Sequence, residues 1–421
     1  NLVERHIINK SHTYFSECDN ICWLSKNLYN MANYIVRQEF IKTSKEKEEG
    51  KIEHVIYLNY QHIRREIIDG VDYTSLPRKV SNQTLMLLDK NWKSFFVAIK
   101  KYKKKPEMFL GRPKLPRYLD TKKGRFVATY EKGAISSKYL KDGVIKLSGT
   151  NIEFPTKTKK EDICQVRIVP RSNHYVIEVV YKKTEKQPIQ SDIIASIDPG
   201  INNLATVAFN KKEVDSFIIN GKPLKSINQF YNKKKAVMQS KVEKELNKKT
   251  SKNIKKLTNK RNEKIRDYMH KSSAVLVNQL ANNNTKTLVI GKNVGQKQDT
   301  NIGKKNNQNF VGIPTFKFLN MVAYKAKLKG IEVIWQEESY TSKACFFSND
   351  TIPTYNKENE NKHNFSGYRE KRGLYKMKGQ KKYINADLNG ALNILKKAFP
   401  NAFADGIEGI AVCPKRMKYS V

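Results

Sequence analysis

Ile193-Ile194-Ala195-Ser196-Ile197-Asp198-Pro199-Gly200 is the stretch on which the fold turns. Ile193 to Ile197 is an apolar run of strand length, closed by an acid and a Pro-Gly turn. Leu204 to Phe209 follows as a strand that pairs with it. The order from there on is strand, hairpin, strand, long helix, strand, helix, strand, loop, helix. Residues 225 to 281 are highly basic and helical, and two long helices are expected with a break near Lys248 to Asn253. Leu288-Val289-Ile290 and Val333-Ile334-Trp335 read as short buried strands.

Upstream, Lys182 to Gln190 is polar and contains Pro188, so a domain boundary is placed there. Leu2 to Ile8 reads as a strand. Between Asp19 and Phe40, Trp23, Leu24, Leu28, Met31, Ala32, Ile35 and Val36 recur at helical spacing. Leu85, Leu88, Trp92, Phe95, Phe96 and Ile99 mark a second helix, which should stop in the lysine run Lys100 to Lys105 before Pro106. Gly111-Arg112-Pro113-Lys114-Leu115-Pro116-Arg117-Tyr118 is expected to be an extended basic loop, because proline disfavours helix at the residue before it. From Arg125 to Lys182 short strands are expected, with a hairpin turn at Asp142-Gly143 and a strand over His174 to Tyr181.

Charge narrows the function class. The 421 residues hold 80 Lys and Arg against 40 Asp and Glu, a net +40. Such an excess calls for a polyanion, and nucleic acid is the usual one. No apolar run approaches the roughly 20 residues that cross a bilayer, and the opening Asn-Leu-Val-Glu-Arg does not read as a signal peptide. Cys18, Cys22, Cys164, Cys345 and Cys413 are irregularly spaced, which fits a reducing compartment better than a disulfide framework.

Three acidic positions stand at element ends. Asp198 closes one buried strand, Glu337-Glu338 close another, and Asp387 opens the amphipathic stretch Leu388 to Leu395. Strand ends and a helix start can converge at one rim of a sheet. Three carboxylates there repel unless divalent cations lie between them, which is the arrangement of two-metal phosphodiester hydrolysis. Each acid also has an ordinary reading: Asp198 as a turn residue, Asp387 as a helix cap, Glu337 and Glu338 as solvated edge charges.

At these residues a family resemblance enters. Ser196-Ile197-Asp198-Pro199-Gly200-Ile201-Asn202-Asn203-Leu204-Ala205-Thr206 resembles the first RuvC motif of the transposon-encoded TnpB nucleases and their type V CRISPR relatives. Ile384-Asn385-Ala386-Asp387-Leu388-Asn389-Gly390 resembles the third. Arg372-Gly373-Leu374-Tyr375, Tyr340-Thr341-Ser342-Lys343, Ser25-Lys26-Asn27-Leu28-Tyr29-Asn30 and Gly111-Arg112-Pro113-Lys114 also look like TnpB. The resemblance implies a multidomain α/β protein. A wedge β-barrel over 1–15 and 106–190 would be interrupted by a helical recognition domain over 16–105. An RNase H-like RuvC domain would follow over 191–421, with inserted basic helices and a target-loading segment near 340–383. It implies RNA-guided, Mg²⁺-dependent cleavage of double-stranded DNA beside a short transposon-adjacent motif, with one chain per guide RNA.

Two departures from the family pattern stand out. The usual second acid ends the strand Leu288-Val289-Ile290, where this chain has Gly291. Some TnpB proteins and the Fanzor relatives place a Glu just before the Thr-Ser pair instead, and Glu338 fits that position, with Glu337 the neighbouring candidate. Asp198, Glu338 and Asp387 are thus the expected ligands of two Mg²⁺ ions. Many relatives carry paired CxxC motifs before the last Asp; here Cys345 stands alone, so no zinc is expected. Cys18 and Cys22 read as core residues.

Lys26, Tyr29, Tyr102, Lys104, Arg112, Lys114, Arg117, Tyr118, Arg261, Tyr340 and Arg372 are the candidate nucleic-acid contacts. A nuclease-dead, RNA-guided repressor of the same family is the alternative, which Gly291 favours and the retained Asp motifs oppose. A DDE transposase or integrase would order its acids Asp, Asp, Glu; the order here is Asp, Glu, Asp. The expected location is the cytoplasm or nucleoid of a prokaryote, or the nucleus if the chain is a eukaryotic or viral relative.

Overall fold

The computed structural model describes residues 1–293, 311–348, 350–355, 363–404, 406, 408–410 and 412–418. The chain divides into two units, Asn1–Lys183 and Thr184–Val421.

The first unit opens with β1 (Leu2–Ile8), α1 (Phe15–Glu48), α2 (Tyr60–Ile67), α3 (Val71–Thr74) and α4 (Arg78–Lys104). It continues with β2 (Ala128–Glu131), α5 (Ser137–Lys141), β3 (Val144–Lys146), β4 (Glu153–Pro155), β5 (Ile163–Pro170) and β6 (Tyr175–Tyr181). Of the apolar positions read from the sequence, Leu28, Ala32 and Val36 are buried in α1, Leu24, Met31 and Ile35 are partly buried, and Trp23 is exposed. Trp92 of α4 is fully buried and donates its indole N–H to Asn33 Oδ1 of α1 at 3.0 Å. Buried indoles need such a partner. Asn59 caps α2 through the amides of Gln61 and His62. As expected, α4 ends inside the lysine run.

Strand order in the main sheet is β1-β6-β5-β2, antiparallel throughout. Leu2 pairs with Tyr181, so the two ends of this unit close on each other. β3 and β4 form a separate ribbon. The expected barrel is corrected here: among the described residues the strands make an open sheet and a ribbon, with no closed barrel. The hairpin expected at Asp142-Gly143 is also corrected. Residues 137–141 form a helical turn, and Gly143, at φ +69°, stops it before β3. Cys18 and Cys22 are core residues, and burial pushes both thiols up.

A polar suture ties α1 to the sheet. Arg125 grips both carboxylate oxygens of Asp19, at 2.9 and 2.8 Å, and the Tyr175 hydroxyl donates to the same carboxylate. The Arg125 bonds lower the Asp19 pKa most; burial opposes them and Tyr175 adds to them.

The second unit contains β7 (Ile194–Asp198), β8 (Asn203–Phe209), β9 (Phe217–Asn220), α6 (Lys222–Leu246) and α7 (Lys252–Asn282). Then come β10 (Thr287–Lys292), α8 (Thr315–Leu328), β11 (Glu332–Glu337) and the small sheet β12 (Gly367–Lys371), β13 (Leu374–Met377) and β14 (Tyr383–Asn385). α9 (Ala386–Ala398) and β15 (Lys415–Arg416) complete it. The main sheet runs β11-β10-β7-β8-β9-β15. β7, β10 and β11 are parallel, and β8 returns antiparallel to β7. The break between the basic helices falls at 247–251, overlapping the expected interval of 248–253. Asn247 ends α6 in the left-handed conformation that Asn tolerates.

Because the Asp19 pKa is depressed on folding, its contribution is present above the unfolded carboxylate range and is lost as pH falls through the folded value. Asp19→Asn should therefore lower the stability of the first unit near neutral pH by about 1 kcal/mol, a charge-assisted bond discounted for its partial exposure. The gap should close toward pH 3. Chemical denaturation of both proteins at several pH values measures it, and a pH-independent gap would contradict the assignment.

Candidate active site

Parallel strands β7 and β11 deliver Asp198 and Glu338 to the same edge of the sheet, with β10 and its Gly291 between them. Ligand sites of open α/β sheets form at this carboxyl edge. The third acid arrives from above on α9. Asn385 caps that helix, accepting from the amides of Asp387 and Leu388 at 3.1 Å each, so Asp387 is not the cap. Ser196 Oγ donates to the Ala391 carbonyl at 2.6 Å and sews α9 onto β7.

Two glycines make the convergence possible. A Cβ on Gly390 would lie 3.0 Å from Asp198 Oδ2, so a bare helix face lets α9 approach that carboxylate. Asp387 lies three residues before Gly390, on the same face of α9. A Cβ on Gly291 would lie 2.7 Å from Glu338 Oε2 and 2.7 Å from Ile394 Cδ1. The Glu338 carboxyl thus occupies the space where a side chain at 291 would begin.

Electrostatics agree with the convergence. Burial, then the charges of Glu338 and Asp387, push Asp198 well above its ordinary value, with Arg369 opposing. Burial, then Glu337, raise Glu338 to about 7. Among the described residues, buried Glu338 Oε2 has no hydrogen-bond partner, and neither does the hydroxyl of Thr206, which faces Asp198 across the β7–β8 ladder. Asp387 is held from both sides: Asn203 Nδ2 donates to Oδ2 at 2.7 Å, and the Arg369 guanidinium lies 3.1 Å from Oδ1. Neither partner was singled out from sequence. Asn203 lies within the first motif, and Arg369 has no local signal because β12 brings it in.

Glu337 has a different role. It pairs with Lys397 at 2.7 Å and accepts from the Ser339 amide at 2.7 Å. Burial would raise its pKa, but Lys397 and Ser339 outweigh it. Lys397 is only 8 % exposed and needs this anion.

The loop after Glu338 is fixed by two buried asparagines one turn apart on α9. Asn389 donates to the Ala344 carbonyl and accepts from the Phe346 amide, while Asn393 donates to the carbonyls of Thr341 and Ala344. Cys345 is buried in the cluster that holds Phe346 and Tyr375. Asp350 then bridges the Cys345 amide at 2.9 Å to the Ser366 amide at 3.0 Å and the Ser366 hydroxyl. Burial alone would raise Asp350, but these bonds, Ser366 foremost, pull it down. A carboxylate thus cross-links this segment of the chain. Residues 349 and 356–362 of the expected target-loading segment lie outside the described residues.

Asp198, Glu338 and Asp387 offer only hard oxygen donors, the set Mg²⁺ prefers. The unpartnered Glu338 oxygen and the mutual repulsion of the acids suit a divalent cation. Among the described residues no three acids, His or Cys are already gathered closely enough to enclose one ion. Asp387 is engaged by Arg369 and Asn203 instead.

Several candidate contacts need correcting. Lys26 is 3 % exposed and donates to the Thr121 carbonyl at 2.8 Å, and Tyr29 is buried against Phe126. Arg261 clasps Asn228 Oδ1 and the Gly312 carbonyl. These three hold the fold together; resemblance and charge pointed to them, but partners distant in sequence bury or engage them. Lys104, Arg112, Lys114, Arg117, Tyr118 and Arg372 are exposed, and Tyr102 is half-buried against Phe109. Arg37 stacks over Tyr118 at 4.8 Å. Tyr340, at φ +64°, meets His363 edge-on. In the first unit, a cavity of about 520 Å³ opens between α4 and the sheet, lined by Gln83, Lys90, Thr129, Gln165, Arg167 and Glu178. Arg167 donates to Glu178 at 2.7 Å, yet its Nε has no partner.

Residues 174–297 match the OrfB_IS605 family, described as a probable transposase, and residues 316–394 match the Cas12f1-like TNB domain. Each match covers less than a third of the chain. The first match contains Asp198 and Gly291, the second Glu338 and Asp387. No curated protein matches the sequence. Among solved structures, the Cas12f1–sgRNA–target DNA complex aligns at 17 % identity over 94 % of this chain and 99 % of that one, with a TM-score of 0.34. A CRISPR–Cas12f ternary complex aligns at 14 % identity over 89 % and 81 %, TM-score 0.35. The mini-RNA-guided endonuclease CRISPR-Cas_phi3 aligns at 12 % identity over 56 % and 52 %, TM-score 0.31. No helix among the described residues is long and apolar enough to cross a membrane.

Gly291→Ala should drive the Glu338 carboxyl off its seat, because Ile394 and the Ile197 carbonyl at 3.1 Å close the other sides. The expected cost is about 1–3 kcal/mol in thermal unfolding, with a smaller Mg²⁺-induced rise in melting temperature than wild type. Asp350→Ala should cost about 1–3 kcal/mol by leaving buried donors unpaired. Hydrogen exchange should locate the loss at 344–348 and 366–377, and unchanged protection there would refute the cross-link.

Proposed function

We propose that this chain is a TnpB-type, RNA-guided DNA endonuclease whose RuvC-type site hydrolyses target phosphodiesters next to a short adjacent motif. One observation carries the reading: the Glu338 carboxyl fills the space over Gly291, beside Asp198 and beneath α9. The second acid is then supplied from the end of β11 instead of the end of β10. Counted from β7 as first, the strands run third, second, first, fourth, fifth, with the second antiparallel. That order supports an RNase H-like domain.

Asp198, Glu338 and Asp387 would hold two divalent ions, Mg²⁺ by donor type, which when bound activate water and stabilise the leaving oxygen. The chain's own groups prepare that chemistry. Glu337 neutralises Lys397 and pins the backbone on which Glu338 sits. Asn389 and Asn393 fix the loop beyond it. Arg369 keeps a guanidinium at Asp387, positioned to meet the charge that develops on a transferring phosphoryl group. Guide RNA and double-stranded DNA are the expected partners: the net charge of +40 suits them, and the Cas12f structures named above are RNA and DNA complexes. The first-unit cavity, with Gln83, Lys90, Thr129 and Gln165, offers donors and acceptors suited to base edges of an adjacent motif.

The test is cleavage of guide-matched DNA in Mg²⁺ by protein purified with co-expressed guide RNA. Wild type and Glu337→Gln should cut. Asp198→Ala and Glu338→Ala should fall by at least about 10²-fold, and Arg369→Ala by about 10²-fold, with guide-dependent binding intact. Binding without cutting by any of them, in Mg²⁺ or Mn²⁺, would overturn the nuclease and leave a repressor, the reading that Gly291 favours.

A further inference from the structure

One feature of the first unit is unused by the site above. Where α4 ends, Met108, Phe109 and Leu110 form an apolar tip. Leu110 is 113 % exposed and Met108 73 %, so among the described residues nothing covers Leu110 and little covers Met108. Phe109 leans edge-on against Tyr102 at 5.7 Å, and this pair props the loop while the other two side chains project. Pro106, Pro113 and Pro116 stiffen it on both sides.

The tip is surrounded by charge of one sign. Lys100, Lys101, Lys103, Lys104 and Lys105 precede it, Arg112, Lys114 and Arg117 follow, and Glu107 is the only acid between 100 and 117. Among the described residues no acidic group pairs with any of these eight cations. A solvated basic loop would not need a bare Leu and Met at its summit. Cations that hold phosphates on either side of a small apolar point are the chemistry of a side-chain wedge set against a base step.

We propose that Met108 and Leu110 form a stacking wedge that packs on the terminal base pair where a bound nucleic-acid duplex ends or forks, with the flanking cations on its phosphates. This rests on the nucleic-acid reading above and adds to it a contact with base faces that phosphate binding alone does not provide. The wedge belongs to one ligand chemistry, an exposed base-pair face. A guide RNA stem and a forked DNA target both supply it.

Met108→Ser/Leu110→Ser is the decisive variant: it leaves charge unchanged and removes side chains that are exposed among the described residues, so its melting temperature should equal wild type. Three probes are titrated with the protein–RNA complex and with RNA-free protein: a DNA fork and an RNA stem end, each carrying 2-aminopurine at the terminal pair, and a closed circular duplex. Wild type should change the 2-aminopurine emission. The variant should lose that change and about tenfold in affinity for an ended probe, while keeping wild-type affinity for the closed circle and the same slope of log K against log salt. Loss on the fork assigns the wedge to the target, and loss on the stem assigns it to the guide.

Equal weakening on ended and closed probes, or an unchanged emission response, would overturn the wedge. So would weakened binding to anionic phospholipid vesicles with nucleic-acid binding untouched, which would make the tip a lipid contact. A wild type that binds no probe with any salt dependence would overturn the parent reading, and this one with it.

Discussion

Residue 390 carries no side chain, and there α9 rests close on the end of β7. A Cβ at 390 would lie 3.0 Å from Asp198 Oδ2, and the Ser196–Ala391 bond holds helix and strand at that separation. Everything at the candidate site depends on this approach. It lets a helix-borne carboxylate share the field of a strand-borne one, and it brings Asn389 and Asn393 down onto the loop after Glu338. The cost is concentrated negative charge in a partly dry place. The raised pKa values of Asp198 and Glu338 express that cost, and Arg369 offsets part of it.

The two neighbouring glutamates show how one residue of spacing divides labour. Glu337 faces Lys397 and is a structural anion with a satisfied partner. Glu338 comes one residue later, after the strand has ended, and reaches across toward β10 with one oxygen unpartnered. A satisfied buried ion pair and an orphaned buried carboxylate are opposite signals. The first contributes to holding the fold, and the second is tolerated where something else is to be bound.

Local signals read well where they were strong. The helical periodicity around Trp92, the lysine stop of α4, the strand before Asp198 and the break between α6 and α7 all follow from near-neighbour pattern. Asp142-Gly143 misled because the same pair that turns a hairpin also stops a helix, and five preceding residues were short enough to be overlooked. The barrel came from resemblance alone, and the strands present pair as an open sheet and a ribbon. Lys26, Tyr29 and Arg261 misled for one reason. A cation or aromatic does not carry in its identity whether Thr121, Phe126 or Asn228, all distant in sequence, will claim it.

The sequence by itself determined the charge that calls for a polyanion, the alternation of strands and helices, and the two aspartates at element ends. These are properties of composition and of residues a few positions apart, and such properties survive without a fold. Which glutamate joins the aspartates was open until the chain folded. That choice depends on a vacancy at Gly291, on the parallel register that sets Lys292 beside Glu337, and on Lys397 taking the other carboxylate. Arg369 at Asp387 and the Asp350 bridge belong to the same class. Each is a contact between segments far apart in the chain, decided by packing geometry, and packing geometry exists only in three dimensions.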